Sequence, residues 1–196
     1  MFKIACVGDS ITNGYLVDNR EVNCYPAVLN ELLGDDYVVG NFGVNGATLL
    51  KSGDFPYWEQ ENFKLSGMLD PDYVIIMLGT NDSKDHNFKT MDEFIADYEL
   101  LIDYYRKLPN KPRIYIATPA TMHENVSNDT HGIRGEVIDE IADALRALGK
   151  KLRISVVDVN KKTKDFSQGF DPDGVHTNVK GAKLIAETVY NELRKK

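Results

Sequence analysis

The sequence predicts a three-layer α/β/α sandwich on a five-stranded parallel sheet, flavodoxin-like in plan. Three observations carry this. Five short apolar stretches rich in β-branched residues recur along the chain, and segments with helical apolar spacing separate them. Strands alternating with helices make βαβ units, which require a parallel sheet covered on both faces. The strands are also apolar throughout rather than alternating, as expected of a sheet buried on both sides.

The elements follow in order. Residues 2–7 form the first strand and stop abruptly at Gly8-Asp9-Ser10. A helix over 26–33 leads to a second strand at 37–41, and a weaker helical pattern covers 57–69. The third strand is 73–78. In 91–107, Phe94, Ile95, Tyr98, Leu101, Ile102 and Tyr105 recur at helical spacing, so this segment buries one face. A fourth strand at 113–118 precedes a helix over 132–149, in which Val137, Ile138, Ile141, Ala144, Leu145 and Leu148 form the stripe and Gly149 the expected stop. A fifth strand at 154–159 and a helix at 179–194 complete the set. The irregular segments 51–56, 83–90 and 121–131 follow strand ends, where an α/β protein places its ligand pocket. At 196 residues the chain suits one domain spanning 1–196.

Composition narrows the partners. A formal charge of −7 argues against a nucleic-acid partner, which would need a basic footprint. No run reaches membrane-spanning length, so no membrane partner is expected. The chain enters a core strand at once, which predicts a cytoplasmic location, or a secreted one if a leader has been removed. Cys6 and Cys24 form neither a disulfide framework nor a CxxC pair. Cys6 reads as a small buried hydrophobe, and Cys24 as a free thiol near a helix start. Nothing in the sequence sets the oligomeric state.

Four polar clusters punctuate the chain: Gly8-Asp9-Ser10, then Gly43-Val44-Asn45-Gly46-Ala47-Thr48, then Gly79-Thr80-Asn81-Asp82, and Asp173-Gly174-Val175-His176 before the last helix. Singly, each is ordinary turn and cap chemistry. Together they meet the demands of acyl transfer. A serine hydroxyl is a weak nucleophile that needs an adjacent base, usually histidine. The histidine needs a carboxylate to hold its tautomer, and the tetrahedral intermediate needs donors aimed at its oxyanion. Ser10, His176, Asp173, Gly46 and Asn81 are the right chemical types, all on loops at one edge of one sheet. Asp9, with Asp173 closer to the base, reads as a turn residue shaping the Ser10 loop.

In these four blocks, in this order, the chain resembles the SGNH hydrolases, or GDSL-like esterases and lipases. The resemblance spans nearly the whole chain. It implies Ser10 as nucleophile, His176 as general base and acid, and Asp173 as its orienting carboxylate. It further implies an oxyanion hole made by the Ser10 and Gly46 N–H groups and the Asn81 amide. One departure stands out: the family often has proline after the histidine, whereas this chain has Thr177-Asn178, which read as the cap of the last helix. The G-x-S-x-G elbow of the α/β-hydrolase fold is absent.

The expected activity is hydrolysis of small acyl esters, with acetyl on a carbohydrate as the expected substrate. A lysophospholipase or thioesterase of the same family is the alternative, and a non-catalytic carbohydrate-binding module a more distant one. A Rossmann-type nucleotide binder should show G-x-G-x-x-G after the first strand, and 8–14 does not match. No cofactor is expected. His86, His123 and His131, with Asp82 and Asp85, fit no standard zinc spacing, so no metal is expected either. Trp58 and His123 are candidates for substrate contact, and Phe55 and Tyr57 share with Trp58 the option of stacking on a sugar or packing in the core.

Overall fold

The computed structural model describes residues 1–123 and 131–195. Its centre is a parallel sheet of β1 (Phe2–Gly8), β2 (Tyr37–Gly43), β3 (Tyr73–Met77), β4 (Arg113–Ala117) and β5 (Ser155–Val157), in the spatial order β2-β1-β3-β4-β5. The α/β class and the five-stranded parallel sheet are those read from the sequence. The chain leaves β1 to one side to make β2, then crosses over to make β3 on the other. That reversal opens a crevice at the carboxyl ends of β1 and β3, where α/β proteins bind ligands. Gly8 pairs with both Gly43 and Met77, so the exits of β1, β2 and β3 lie at one level.

The helices are α1 (Ser10–Asn13), α2 (Arg20–Asn23), α3 (Tyr25–Leu33), α4 (Glu61–Met68), α5 (Met91–Arg106), α6 (Gly135–Leu152), α7 (Val159–Thr163) and α8 (Val179–Leu193). Successive strand residues point to opposite faces, and each face has its own core. On one, Val7, Val74, Ile76 and Ile116 pack with Phe94 and Leu101 of α5 and Ile141 and Leu145 of α6. On the other, Ile4, Cys6, Ile75 and Ala117 pack with Leu29 of α3 and Ile185 and Val189 of α8. Each fully buried aliphatic side chain contributes about 1.5–3 kcal/mol, so the cores on both faces fix the level of the strand ends. Cys6 is fully buried, and burial pushes its thiol up to about 12. Cys24 lies just before α3, buried, with its Sγ 3.5 Å from Asn41 Nδ2.

Several boundaries differ from the sequence reading. The fifth strand is cut to three residues because Asp158 turns the chain, accepting the Lys161 N–H at 3.3 Å to cap α7. The weak helical pattern over 57–69 splits into a 3-10 turn (Tyr57–Glu59) and α4, with extended Gln60 between them. Gly149 does not end α6. The helix runs on to Leu152 and stops at Arg153, whose φ of 55° is left-handed. Gly149 is there for space: a Cβ would lie 2.2 Å from Val156 Cγ2, so its absence lets α6 close on β5. Of the segment 121–131 expected to wall the pocket, 124–130 lie outside the described residues. No helix among the described residues is long and apolar enough to cross a membrane.

Candidate active site

Ser10 follows β1 after one residue, Asp9, and is the first residue of α1. The turn that places it is tight. A Cβ on Gly8 would lie 2.0 Å from Thr12 Oγ1 and 2.6 Å from the Met77 carbonyl, so only glycine lets α1 fold back on the strand. Asp9 caps α1, accepting the Ile11 N–H at 2.9 Å. Burial pushes the Asp9 carboxyl up to about 6, against the pull of the Ile11 N–H and the Thr80 side chain. Its part is thus in the turn, as the sequence reading has it.

The loop after β2 is tied to the loop after β1 by the Val44 N–H, which donates to the Gly8 carbonyl at 3.0 Å. Gly46 then takes φ = 81°, a conformation costly for a residue with a Cβ, and turns the chain beside Ser10. Asn81, after β3, donates from Nδ2 to the Ala47 carbonyl at 3.1 Å, which leaves one amide hydrogen for another acceptor. Among the described residues, neither the Ser10 nor the Gly46 N–H has a protein acceptor. Three donors therefore stand uncommitted at the switch point of the sheet.

His176 reaches the same point from the loop before α8. Its Nε2 lies 3.0 Å from Ser10 Oγ, and its Nδ1 lies 2.6 Å from Asp173 Oδ2. The other Asp173 oxygen accepts the N–H groups of Val175 and His176, each at 2.9 Å, so one turn orients carboxylate and imidazole together. Burial raises the Asp173 carboxyl. The His176 ring and the two backbone donors outweigh that and hold it below the usual carboxylate range. An ionised Asp173 fixes the proton of a neutral imidazole on Nδ1, which leaves Nε2 to accept from Ser10. The Tyr15 ring meets His176 edge-on at 4.9 Å, and Asn178 caps α8 beyond, accepting the Lys180 N–H at 2.9 Å.

These side chains open into a cavity of ≈ 240 Å³ lined, among the described residues, by Ser10, Tyr15, Asn45, Gly46, Asn81, Lys84, His131 and His176. The structure thus gathers Ser10, His176, Asp173, Gly46 and Asn81 at one place. Trp58 and His123 lie elsewhere. The Trp58 indole donates to the Leu49 carbonyl at 2.7 Å and packs on Phe63, while His123 Nε2 lies 3.0 Å from the Thr163 carbonyl with its ring on Phe170. Of the remaining histidines, His86 pairs with Asp54 at 2.9 Å, and His131 Nε2 stands 3.9 Å from Asp173 Oδ2. Tyr15 and Lys84 are wall residues the sequence reading did not single out. Their signal was position alone, a few residues past Ser10 and Asn81.

Fold and site together define an α/β protein with a serine–histidine–aspartate hydrogen-bonded chain at its topological switch point. The chain belongs to the GDSL-like lipase/acylhydrolase family, whose model matches residues 6–184. It is 35% identical over 205 residues to an acetylxylan esterase of Xylanibacter ruminicola, a match covering 95% of this chain and 42% of that protein. It is 28% identical over 102 residues to a rhamnogalacturonan acetylesterase of Bacillus subtilis, over 52% of this chain and 42% of the relative. The chain thus spans about two fifths of the length of these curated relatives. Among solved structures, a carbohydrate acetylesterase family member from Sinorhizobium meliloti superposes with a TM-score of 0.82 at 22% identity, covering 99% of this chain and 98% of that one. An aryl esterase of M. smegmatis superposes with a TM-score of 0.83 at 20% identity, covering 99% of both. At those identities the likeness is one of fold.

Proposed function

We propose that this chain is a serine esterase that hydrolyses short-acyl carboxylic esters, with acetyl on a carbohydrate as its substrate. The observation that carries the chemistry is the unbroken chain from Ser10 Oγ through His176 to Asp173. Ser10 Oγ attacks the acyl carbon while its proton passes to Nε2. The oxyanion that forms is received by the Ser10 and Gly46 N–H groups and the free Asn81 amide hydrogen. Asp173 stabilises the imidazolium without taking its proton. Collapse breaks the bond to the alcohol, which leaves with the proton from Nε2, and Ser10 holds the acyl group. Water then gives a proton to Nε2 and attacks the acyl carbon, freeing the acid and restoring Ser10.

The short acyl preference is supported by the walls of the cavity. None of its described lining residues is aliphatic, so among the described residues an extended acyl chain meets no apolar channel. The acetylated polysaccharides named for the two curated relatives point the same way. The test is hydrolysis of p-nitrophenyl acetate, butyrate and octanoate by wild type and Ser10→Ala, with acetate release from acetylated xylotriose measured alongside. We expect acetate to be preferred and Ser10→Ala to be inactive. Full activity in Ser10→Ala would end the serine-esterase reading, and an octanoate preference would end the short-acyl one.

A further inference from the structure

A second hollow adjoins the first. It is a shallow, open hollow of ≈ 370 Å³ bordered by Asn13, Asn45, Phe55, Gln60, Glu61 and Asn62. Asn45 lines both cavities, so the second lies beside the first, on the side of β2 and α4. Four side-chain amides stand around a single exposed phenyl ring.

Phe55 belongs to neither core and is 42% exposed. Its neighbours Tyr57 and Trp58 turn inward, Tyr57 fully buried and Trp58 packed against the same core. The Phe55 carbonyl accepts the Thr48 N–H at 2.9 Å, and Pro56 is bridged to Thr48, so the backbone under the ring is fixed. The ring is also close to the reacting end: a Cβ built on Gly46 would lie 4.0 Å from Phe55 Cδ1. A lone exposed phenyl is unremarkable on a surface. One pinned beside the candidate oxyanion glycine, in a hollow that shares Asn45 with the Ser10 cavity, is placed to meet part of a substrate.

The polar groups indicate which part. Asn62 donates from Nδ2 to the Gly43 carbonyl at 3.0 Å, which leaves its amide oxygen as an acceptor. Asn45 is exposed, and its amide makes no hydrogen bond among the described residues. Amides that both donate and accept match hydroxyl groups, which do the same. A phenyl face matches the C–H face of a pyranose ring, whose contact removes apolar surface from water on both sides. We propose that this hollow is a sugar-ring subsite: Phe55 stacks on the ring next to the acetylated one, and Asn45 and Asn62 bind its hydroxyls. The inference rests on the carbohydrate-ester reading above. It adds that the protein acts on oligosaccharides in preference to single acetylated sugars.

The test compares kcat/KM for O-acetylated xylotriose with that for O-acetylated methyl xyloside, in wild type, Phe55→Ala and Phe55→Tyr. The wild type should favour the trisaccharide. Phe55→Ala should lower the trisaccharide-to-monosaccharide ratio by roughly three- to tenfold, through KM, as expected for one aromatic contact. Phe55→Tyr, which keeps the ring, should restore it. An unchanged ratio in Phe55→Ala overturns the subsite and leaves the esterase reading standing. A wild type that cleaves p-nitrophenyl acetate yet releases no acetate from either saccharide overturns both.

Discussion

Asp82 accepts the Leu50 N–H at 2.7 Å from the far side of the site, and so ties the turn after β3 to the loop after β2. Its other oxygen takes the Leu49 N–H at 2.9 Å. The two loops held in this way are those that carry Asn81 and Gly46. Their separation is therefore set by a carboxylate with no exposed surface rather than by contact with substrate.

That burial has a thermodynamic consequence. Removal from water pushes the Asp82 carboxyl up to about 7, against the pull of its backbone donors. A raised folded-state value means that the folded protein holds this proton where the unfolded chain has released it. The contribution to stability is complete below the unfolded value of 3.8 and is lost as pH rises through about 7. Asp9, raised to about 6, acts in the same direction. Urea unfolding should thus show stability falling between pH 5 and pH 8. Asp82→Asn leaves one backbone donor facing an NH₂ group and should cost about 1–3 kcal/mol at pH 5. The deficit should shrink toward pH 8, because the neutral amide escapes the cost of ionisation. Parallel curves for the two proteins would show that Asp82 does not titrate in this range.

Asp173 behaves in the opposite sense, since its folded-state value is lowered. Its contribution is present above the unfolded value and is lost as pH falls through the folded one. In the proposed mechanism its main consequence is catalytic. Asp173→Asn offers an NH₂ or a carbonyl to Nδ1 and no longer favours the tautomer with Nε2 free. On p-nitrophenyl acetate kcat should fall about 10⁴-fold, the loss seen for the equivalent change in trypsin-like triads. His176→Ala, which removes the base itself, should cost more, about 10⁵–10⁶-fold. A similar loss in both would mean that Asp173 serves to hold the turn rather than to orient the ring.

Much of this site was legible because its chemistry is carried by residue types that mark strand ends. The serine after Gly8, the Asn-Gly turn, Asn81 and the Asp173–His176 pair each interrupt an apolar run or precede a helix. Parallel strands bring all such interruptions to one edge. The aromatic residues were less legible. Phe55, Tyr57 and Trp58 stand almost side by side, and which of them faces solvent depends on the Thr48–Pro56 bridge, a contact between loop residues with no periodic signature. Trp58 was expected near substrate, yet the Leu49 carbonyl engages its indole. Tyr15 carries no periodic signal, because α1 is too short to show a helical period and its turn depends on the close approach of Gly8 to Thr12.

Gly149 shows the same limit in the fold. By local rules a glycine after a helical stripe ends the helix, whereas here it lets the helix pass over β5. The two readings predict opposite signs for Gly149→Ala. A glycine in an open helix interior gives about 0.5–1 kcal/mol of stability when replaced by alanine. At this position the new methyl would lie 2.2 Å from Val156 Cγ2 in β5 and 3.0 Å from the Ile154 carbonyl just before it. Overpacking of that kind costs about 1–3 kcal/mol and should outweigh the helical gain. Gly135→Ala, at the other end of α6, meets only the flexible Met122 side chain at 3.4 Å and should be neutral or mildly stabilising. Urea denaturation of the two variants reads the difference directly. Adding Val156→Ala to Gly149→Ala should recover part of the loss, because the two sites touch and their effects are not additive. A stabilised Gly149→Ala would mean that α6 stands further from the sheet than the structure has it.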